Sequence, residues 1–238
     1  MSEQITIYPA AALFNGRETS FNLELIDRLE EAGYETKFPQ RDGFEFGRLT
    51  NALSGKIPQN EVSNAVQQVI YFLDMGIFIP QSEVIVANLD EPQDEGVMVE
   101  ISYAKLMDKF VIGYRTDVRS PYGNATDDLG GIHFFPAFQC DYFIKSYQPC
   151  RTQAEKTEGL DKLAKKVDDI IRNQRIKKNG LPKYALENPH VQKILSGAEV
   201  LFEGIEDIHS GDGLEEIAKR YVENQGALKT IYPLIEIS

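Results

Sequence analysis

EVIVANLDEPQDEGVMVEISYAKLMDKFVIGYRT, residues 83–116, reads as strand, loop, helix and strand. EVIVANL at 83–89 is an almost unbroken apolar run, the pattern of a strand buried on both faces of a parallel sheet. The acidic loop DEPQDEG follows it. Val97, Ile101 and Ala104 then fall on one helical face and predict a helix over 97–108. KFVIGYRT at 109–116 is a second apolar run. Two such strands joined through a helix make a βαβ unit, the building block of parallel α/β sheets.

The same alternation extends toward the N-terminus. ITIYPA at 5–10 reads as a buried first strand, with Pro9 near its end. In RETSFNLELIDRLEEAG, Phe21, Leu25 and Leu29 recur at helical spacing, and Gly33 is placed like a C-cap. YETKF at 34–38 reads as a second strand. FPQRDGFEFGRL is rich in polar and turn residues and reads as a loop. Val62, Val66, Val69 and Ile70 supply an apolar stripe for a helix over 60–76. Beyond 116, VRSPYGNATDDLGGI reads as a long loop. An amphipathic helix is predicted over 159–175, ended by Lys177, Lys178, Gly180 and Pro182. Two short helices and a terminal apolar run, IYPLIEI, complete the chain. The division expected is an α/β domain over 1–150 and a mostly helical C-terminal extension over 151–238 packed on it.

The 238 residues carry 42% apolar and 26% charged residues, enough apolar content for a core without disulfide staples. The formal net charge of −12 repels phosphate backbones, so no nucleic-acid partner is expected. Cys140 and Cys150 are the only cysteines and read as two thiols in a reducing compartment. Three histidines without a Cys/His cluster make a structural zinc site unexpected. MSEQITIYPA lacks the features of a signal peptide, and no apolar run approaches a membrane span. A cytoplasmic location without membrane contact is the expectation.

In doubly wound sheets, ligands bind beyond the carboxyl ends of the strands. Tyr8 ends the first predicted strand there, and Gln40, Arg41 and Asp42 follow the second. Asp90, Asp94 and Glu100 follow the third, and Arg115, Thr116, Asp117 and Arg119 the fourth. Glu100 lies in the early turns of its helix between apolar Val99 and Ile101. A carboxylate held ionised there by the helix dipole could act as a nucleophile at an anomeric carbon. Asp94 in the preceding loop could handle a proton on the leaving group. A solvated helix face with an acidic start fits the same residues. Asp74 interrupts the apolar stretch YFLDMGIFI and needs a partner if buried. GxGxxG, Walker A and G-x-S-x-G patterns are absent, so dinucleotide, P-loop and serine-hydrolase chemistry lose their usual support. No cofactor and no metal are called for.

TIYPAAALF at 6–14, FPQRDG at 38–43, FLDMG around Asp74, SEVIVANLDEPQDEGVMVEISYA at 82–104 and KFVIGYRTDVR at 109–119 resemble the nucleoside 2-deoxyribosyltransferases and their N-glycoside hydrolase relatives. The resemblance spans roughly residues 5–145. It implies a three-layer, flavodoxin-like (Rossmann-like) parallel sheet with helices on both faces. It also implies a double displacement, with Glu100 as the nucleophile at C1′ of a 2′-deoxyribose. Tyr8 matches a tyrosine that orients the nucleophile, Asp94 a carboxylate that contacts the base and assists proton transfer, and Asp74 an aspartate that supports sugar and base. Gln40 lies near a base-reading glutamine, and Asp90 joins the substrate-binding set. The family often supplies an asparagine from a neighbouring subunit to the sugar 5′-hydroxyl, near GIHFFPAF. This chain has His133, Phe134 and Phe135 there, and its nearest asparagine is Asn124. His133 is the alternative 5′ contact, to a hydroxyl or, if protonated, to a phosphate.

The expected substrates are therefore a deoxynucleoside and a free nucleobase, exchanged by transfer. Hydrolysis of a nucleoside or 5′-nucleotide uses the same carboxylates and is the alternative, followed by a non-catalytic nucleoside-binding protein. The resemblance implies a sugar site closed across a subunit boundary, and the aromatic density of PYGNATDDLGGIHFFPAFQCDYF suits a buried interface core; together they give the expectation of a homo-oligomer whose neighbouring subunits share active sites.

Overall fold

A computed structural model of the protein describes residues 4–124 and 126–228. The terminal run IYPLIEI lies outside the described residues. The elements run β1 (Thr6–Ala10), α1 (Gly16–Glu31), β2 (Glu35–Thr36), α2 (Pro39–Asp42), α3 (Phe46–Leu53) and α4 (Gln59–Leu73). A π-helical turn (Asp74–Phe78) leads to α5 (Ile79–Gln81), β3 (Val84–Asn88), α6 (Glu95–Leu106) and β4 (Phe110–Arg115). Then follow α7 (Phe134–Gln139), β5 (Tyr142–Lys145), α8 (Gln153–Gln174), α9 (Lys183–Leu186), α10 (Pro189–Phe202) and α11 (Gly211–Leu228).

Among the described residues, five parallel strands form one sheet in the order β2-β1-β3-β4-β5. This is the flavodoxin-like winding, which reverses direction between β1 and β3. Alternation along each strand sends successive side chains to opposite faces. Ile7, Val84, Val86, Ile112, Tyr114 and Ile144 pack with Leu25, Ile26 and Leu29 of α1 and with Leu160, Leu163, Val167 and Ile171 of α8. The strand residues between them, Tyr8 and Ile85 among them, therefore face the other layer, where α6 packs on β1, β3 and β4. Tyr8 is completely buried.

The chain divides by contacts into two compact units, one of residues 1–40 and 79–182, the other of residues 41–78 and 183–238. This division differs from one at residue 150. In the first unit α8 supplies one wall of the sheet's core, so the chain after 150 is at first part of the α/β layers. In the second unit α3, α4 and the π turn pack with α10 and α11. Close approach makes this packing possible: a Cβ on Gly197 would stand 2.1 Å from the Phe72 ring, and one on Gly76 2.4 Å from the Ala198 Cβ.

Several boundaries move from their sequence reading. The FPQRDGFEFGRL stretch contains α2 and the start of α3 rather than a loop. Leu49, Ala52 and Leu53 of α3 are buried, a spacing that only its second half displays. The second strand shrinks to two residues because β2 is an edge that pairs only at Thr6 and Ile7. β5, missing from the sequence reading, is short and buries only Ile144. The helix starting at Gln59 passes Gly76 through the π turn and runs to Gln81. These 23 residues are long and apolar enough by length and composition to cross a membrane, and 61% of the most apolar window is buried inside the protein. Its apolarity suits a core helix, which continues past the end at 76 expected from the apolar stripe.

Candidate active site

α6 begins earlier than its apolar spacing indicates. Asp94 is its N-cap, and Asp94 Oδ1 accepts a hydrogen bond from the Val97 N–H at 2.9 Å. That satisfies one of the donors a helix start leaves open. Glu100 is then the sixth residue of the helix, beyond the first turn where the dipole acts most strongly. The expectation of a carboxylate held ionised by the helix start is corrected accordingly, since the cap role belongs to Asp94.

The Tyr8 hydroxyl donates to Glu100 Oε1 at 2.7 Å. Tyr8 comes from β1, and Glu100 from the helix after β3, so the pair bridges the two strands at which the winding reverses. Ligand crevices of such sheets lie at this switch point. Glu100 keeps some surface in contact with solvent, yet burial dominates its titration and pushes its carboxyl up to about 7. The Tyr8 hydrogen bond opposes the rise, and the negative charge of Asp94 adds to it. Near neutral pH this group exists in both forms, as suits a carboxylate that must carry charge during one step.

The other predicted residues fall in several settings. Gln40 sits in α2, its Nε2 donates to the Thr19 carbonyl at 3.3 Å, and its buried Oε1 has no hydrogen-bond partner among the described residues. Asp90 is committed to the protein: its carboxylate accepts from the Thr116 N–H and hydroxyl, both at 2.6 Å, and from the Asp117 N–H at 3.0 Å. Asp74 belongs to the second unit, half-buried at the first position of the π turn. Such turns recur at functional sites.

His133 caps α7. Its Nδ1 accepts from the Phe135 N–H at 3.1 Å, so the proton of the neutral ring resides on Nε2. The ring stacks on Phe134 at 4.7 Å and meets Tyr122 and Phe135 edge-on at 4.8 and 5.0 Å. Tyr122, Phe134, Phe135 and Phe138 are all exposed and make a continuous aromatic ridge. A cavity of about 410 Å³ lies beside it, between α6 and α7, reached by Gln93, Ser102 and His133. Both cysteines are free, and burial pushes the Cys140 thiol up to about 12, so it is held as a thiol.

Sequence reasoning overlooked Arg115 as a buried group. It is 2% exposed and donates to Asp117 and to the Gly130 carbonyl. Its signal was visible, a cation closing an apolar strand and followed by an aspartate two residues later.

A family model described as nucleoside 2-deoxyribosyltransferase matches residues 7–178. The match passes the end of the resemblance seen in the sequence and takes in α8, in keeping with the place of that helix against the sheet. No curated protein matches the chain. Among solved structures, the sugar isomerase domain of the RpiR transcription factor from Sphaerobacter thermophilus is similar at 9% identity over 74% of this chain and 80% of that one, with a TM-score of 0.34.

Proposed function

The chain belongs to the nucleoside 2-deoxyribosyltransferase family, and on that premise we propose that it transfers 2-deoxyribose between nucleobases through a glycosyl ester on Glu100. The observation that carries the reading is the Tyr8–Glu100 hydrogen bond at the β1/β3 switch point. An ionised Glu100 oxygen attacks C1′ of a 2′-deoxynucleoside from the face opposite the base. The C1′–N bond breaks, its electron pair leaves with the base, and Asp94 assists delivery of a proton to that base. A second base then attacks C1′, the ester bond breaks, and the Glu100 carboxylate is regenerated. Two inversions retain the β-configuration. Tyr8 supports the cycle by holding Glu100 Oε1 in place and favouring its charged form. The unpartnered amide oxygen of Gln40 supports it as an acceptor for a base N–H. Hydrolysis uses the same first half, with water as the second nucleophile.

Incubation with deoxyinosine, with and without adenine, tests the reading by chromatography. Deoxyadenosine is expected only when adenine is present. Hypoxanthine released at the same rate without adenine would replace transfer by hydrolysis, and no consumption of deoxyinosine or any other deoxynucleoside would end both.

We further propose a homo-oligomer that uses the aromatic ridge of Tyr122, Phe134, Phe135 and Phe138 as its contact. Large exposed rings in one patch support an interface over a solvated face. The cap bond of His133 leaves Nε2–H as the donor to a neighbour's 5′ oxygen. Light scattering is expected to give at least a dimer, and Phe135→Asp with Phe138→Asp to shift it toward monomer. A wild-type monomer with full activity would overturn the shared site.

A further inference from the structure

Between the ends of β3 and β4 lies a polar cluster that the transfer chemistry does not use. Asp90, from the loop after β3, accepts three hydrogen bonds from Thr116 and Asp117 after β4. Asp117 reaches back: its Oδ2 accepts from the Glu91 N–H at 2.8 Å. Its Oδ1 accepts from Arg115 Nε at 2.9 Å and from the Arg119 N–H at 3.1 Å. Arg115 also donates to the carbonyls of Gly130, at 3.1 Å, and Arg119. Each loop thus sends a carboxylate to the backbone of the other. A buried guanidinium ties the cluster to the start and end of the 119–130 segment.

We propose that Asp90, Thr116, Asp117 and Arg115 form a reciprocal latch that positions the loop carrying Asp94 beside Glu100, and that Asp90 does not bind substrate. The inference rests on the transfer chemistry assigned to Glu100.

Three physical points support it. First, the carboxylate of Asp90 already receives three donors, two of them at 2.6 Å, so most of its acceptor capacity is spent on the loop after β4. Second, a buried arginine is tolerated only when its donors are met, so the cluster forms as a unit or not at all. Third, the loop between Asn88 and Glu95 is short. Its beginning is held by the latch and its end by the Asp94 cap. Loosening the first anchor moves the second, and with it the charge that acts on Glu100. The titratable groups acting on Glu100 are Tyr8 from β1 and Asp94 from the loop.

The test compares Thr116→Val, which removes the hydroxyl donor to Asp90, with Thr116→Ser, Asp90→Asn and Asp94→Asn. Transfer between a purine deoxynucleoside and a free purine base is measured from pH 5 to 9, with thermal unfolding of each variant. Thr116→Val and Asp90→Asn are expected to lower kcat about ten- to a hundredfold, as small misplacements near a reacting group do, with KM little changed. The acidic limb of kcat/KM should move to lower pH in both, as in Asp94→Asn, and return in Thr116→Ser. Added to Asp94→Asn, Thr116→Val should move the limb no further. A limb that stays at the wild-type pH while only stability falls would overturn the latch as a positioning device. A raised KM with unchanged kcat in Asp90→Asn, absent in Thr116→Val, would overturn it by making Asp90 a substrate contact. If Asp90→Asn does not fold, Thr116→Val decides alone. Failure of the chemistry itself is separate, because it shows as retained activity in a folded Glu100 variant.

Discussion

Replacement of Glu100 by Ala is expected to leave a folded protein whose transfer activity has fallen by about 1,000-fold or more, since loss of a covalent step removes several kcal/mol of barrier lowering. Glu100→Gln should lose activity to a similar degree, because an amide oxygen cannot form the glycosyl ester under these conditions. The Gln variant also carries a stability signature of opposite sign. The folded-state pKa of Glu100 is raised, from 4.5 to about 7. Its stabilising contribution is therefore fully present below pH 4.5, declines as pH rises toward 7, and is lost above it. A neutral glutamine avoids the cost of burying that charge. Glu100→Gln should accordingly be more stable than wild type above pH 7, by roughly 1–3 kcal/mol, and closer to it near pH 5. Unfolding by denaturant at pH 5 and 8 reads the difference. An active, folded Glu100→Ala protein would remove the nucleophile assignment, and a Gln variant less stable at pH 8 than at pH 5 relative to wild type would remove the titration argument.

Tyr8→Phe is expected to give an effect that depends on pH. The nucleophile must be ionised, so kcat/KM should fall as pH drops below about 7, tenfold per unit well below it. The Tyr8 hydroxyl favours the ionised form, and the phenyl ring of the variant cannot. Loss of one charge-assisted hydrogen bond should carry the acidic limb upward by about one pH unit. The variant should therefore lose about sevenfold more activity at pH 6 than at pH 8.5, the amount that a one-unit displacement of a limb near 7 produces. Equal losses at both values would mean that Tyr8 only packs the site. The direction also separates Tyr8 from Asp94, whose charge raises Glu100 and whose neutralisation should carry the limb downward.

Burial raises the pKa of Glu100 by making its charged form costly. Glu100 costs stability whenever it is charged, and the tight packing around the sheet offsets that cost. Active-site groups are commonly maintained against stability in this way. The hydrogen bond from Tyr8 limits the cost without removing it, leaving the carboxylate able to change charge near neutral pH.

The sequence by itself determined the layers. Apolar runs at 83–89 and 109–116, with helical spacing between them, required buried parallel strands joined through a helix, because both periodicities are local consequences of backbone geometry. The carboxylates at the strand ends were legible for the same reason, as was Gly33 just beyond α1, where φ of 101° suits a residue without Cβ. Tertiary structure decided what each polar residue does. Asp90 and Asp94 are four positions apart in one acidic loop, and nothing local distinguishes them. One is bound to the backbone of the loop after β4, and the other caps α6 and acts on Glu100. Tyr8 and Glu100 are 92 residues apart, and only the β1–β3 register and the alternation of β1 bring them within 2.7 Å. The extent of the α/β layers likewise awaited the fold. α8 looks like any amphipathic helix in sequence, and its core role follows from the strand residues that face it. Periodicity reports which face of an element is buried, whereas the partner, and hence the charge state and the chemistry, depends on contacts between residues far apart in the chain.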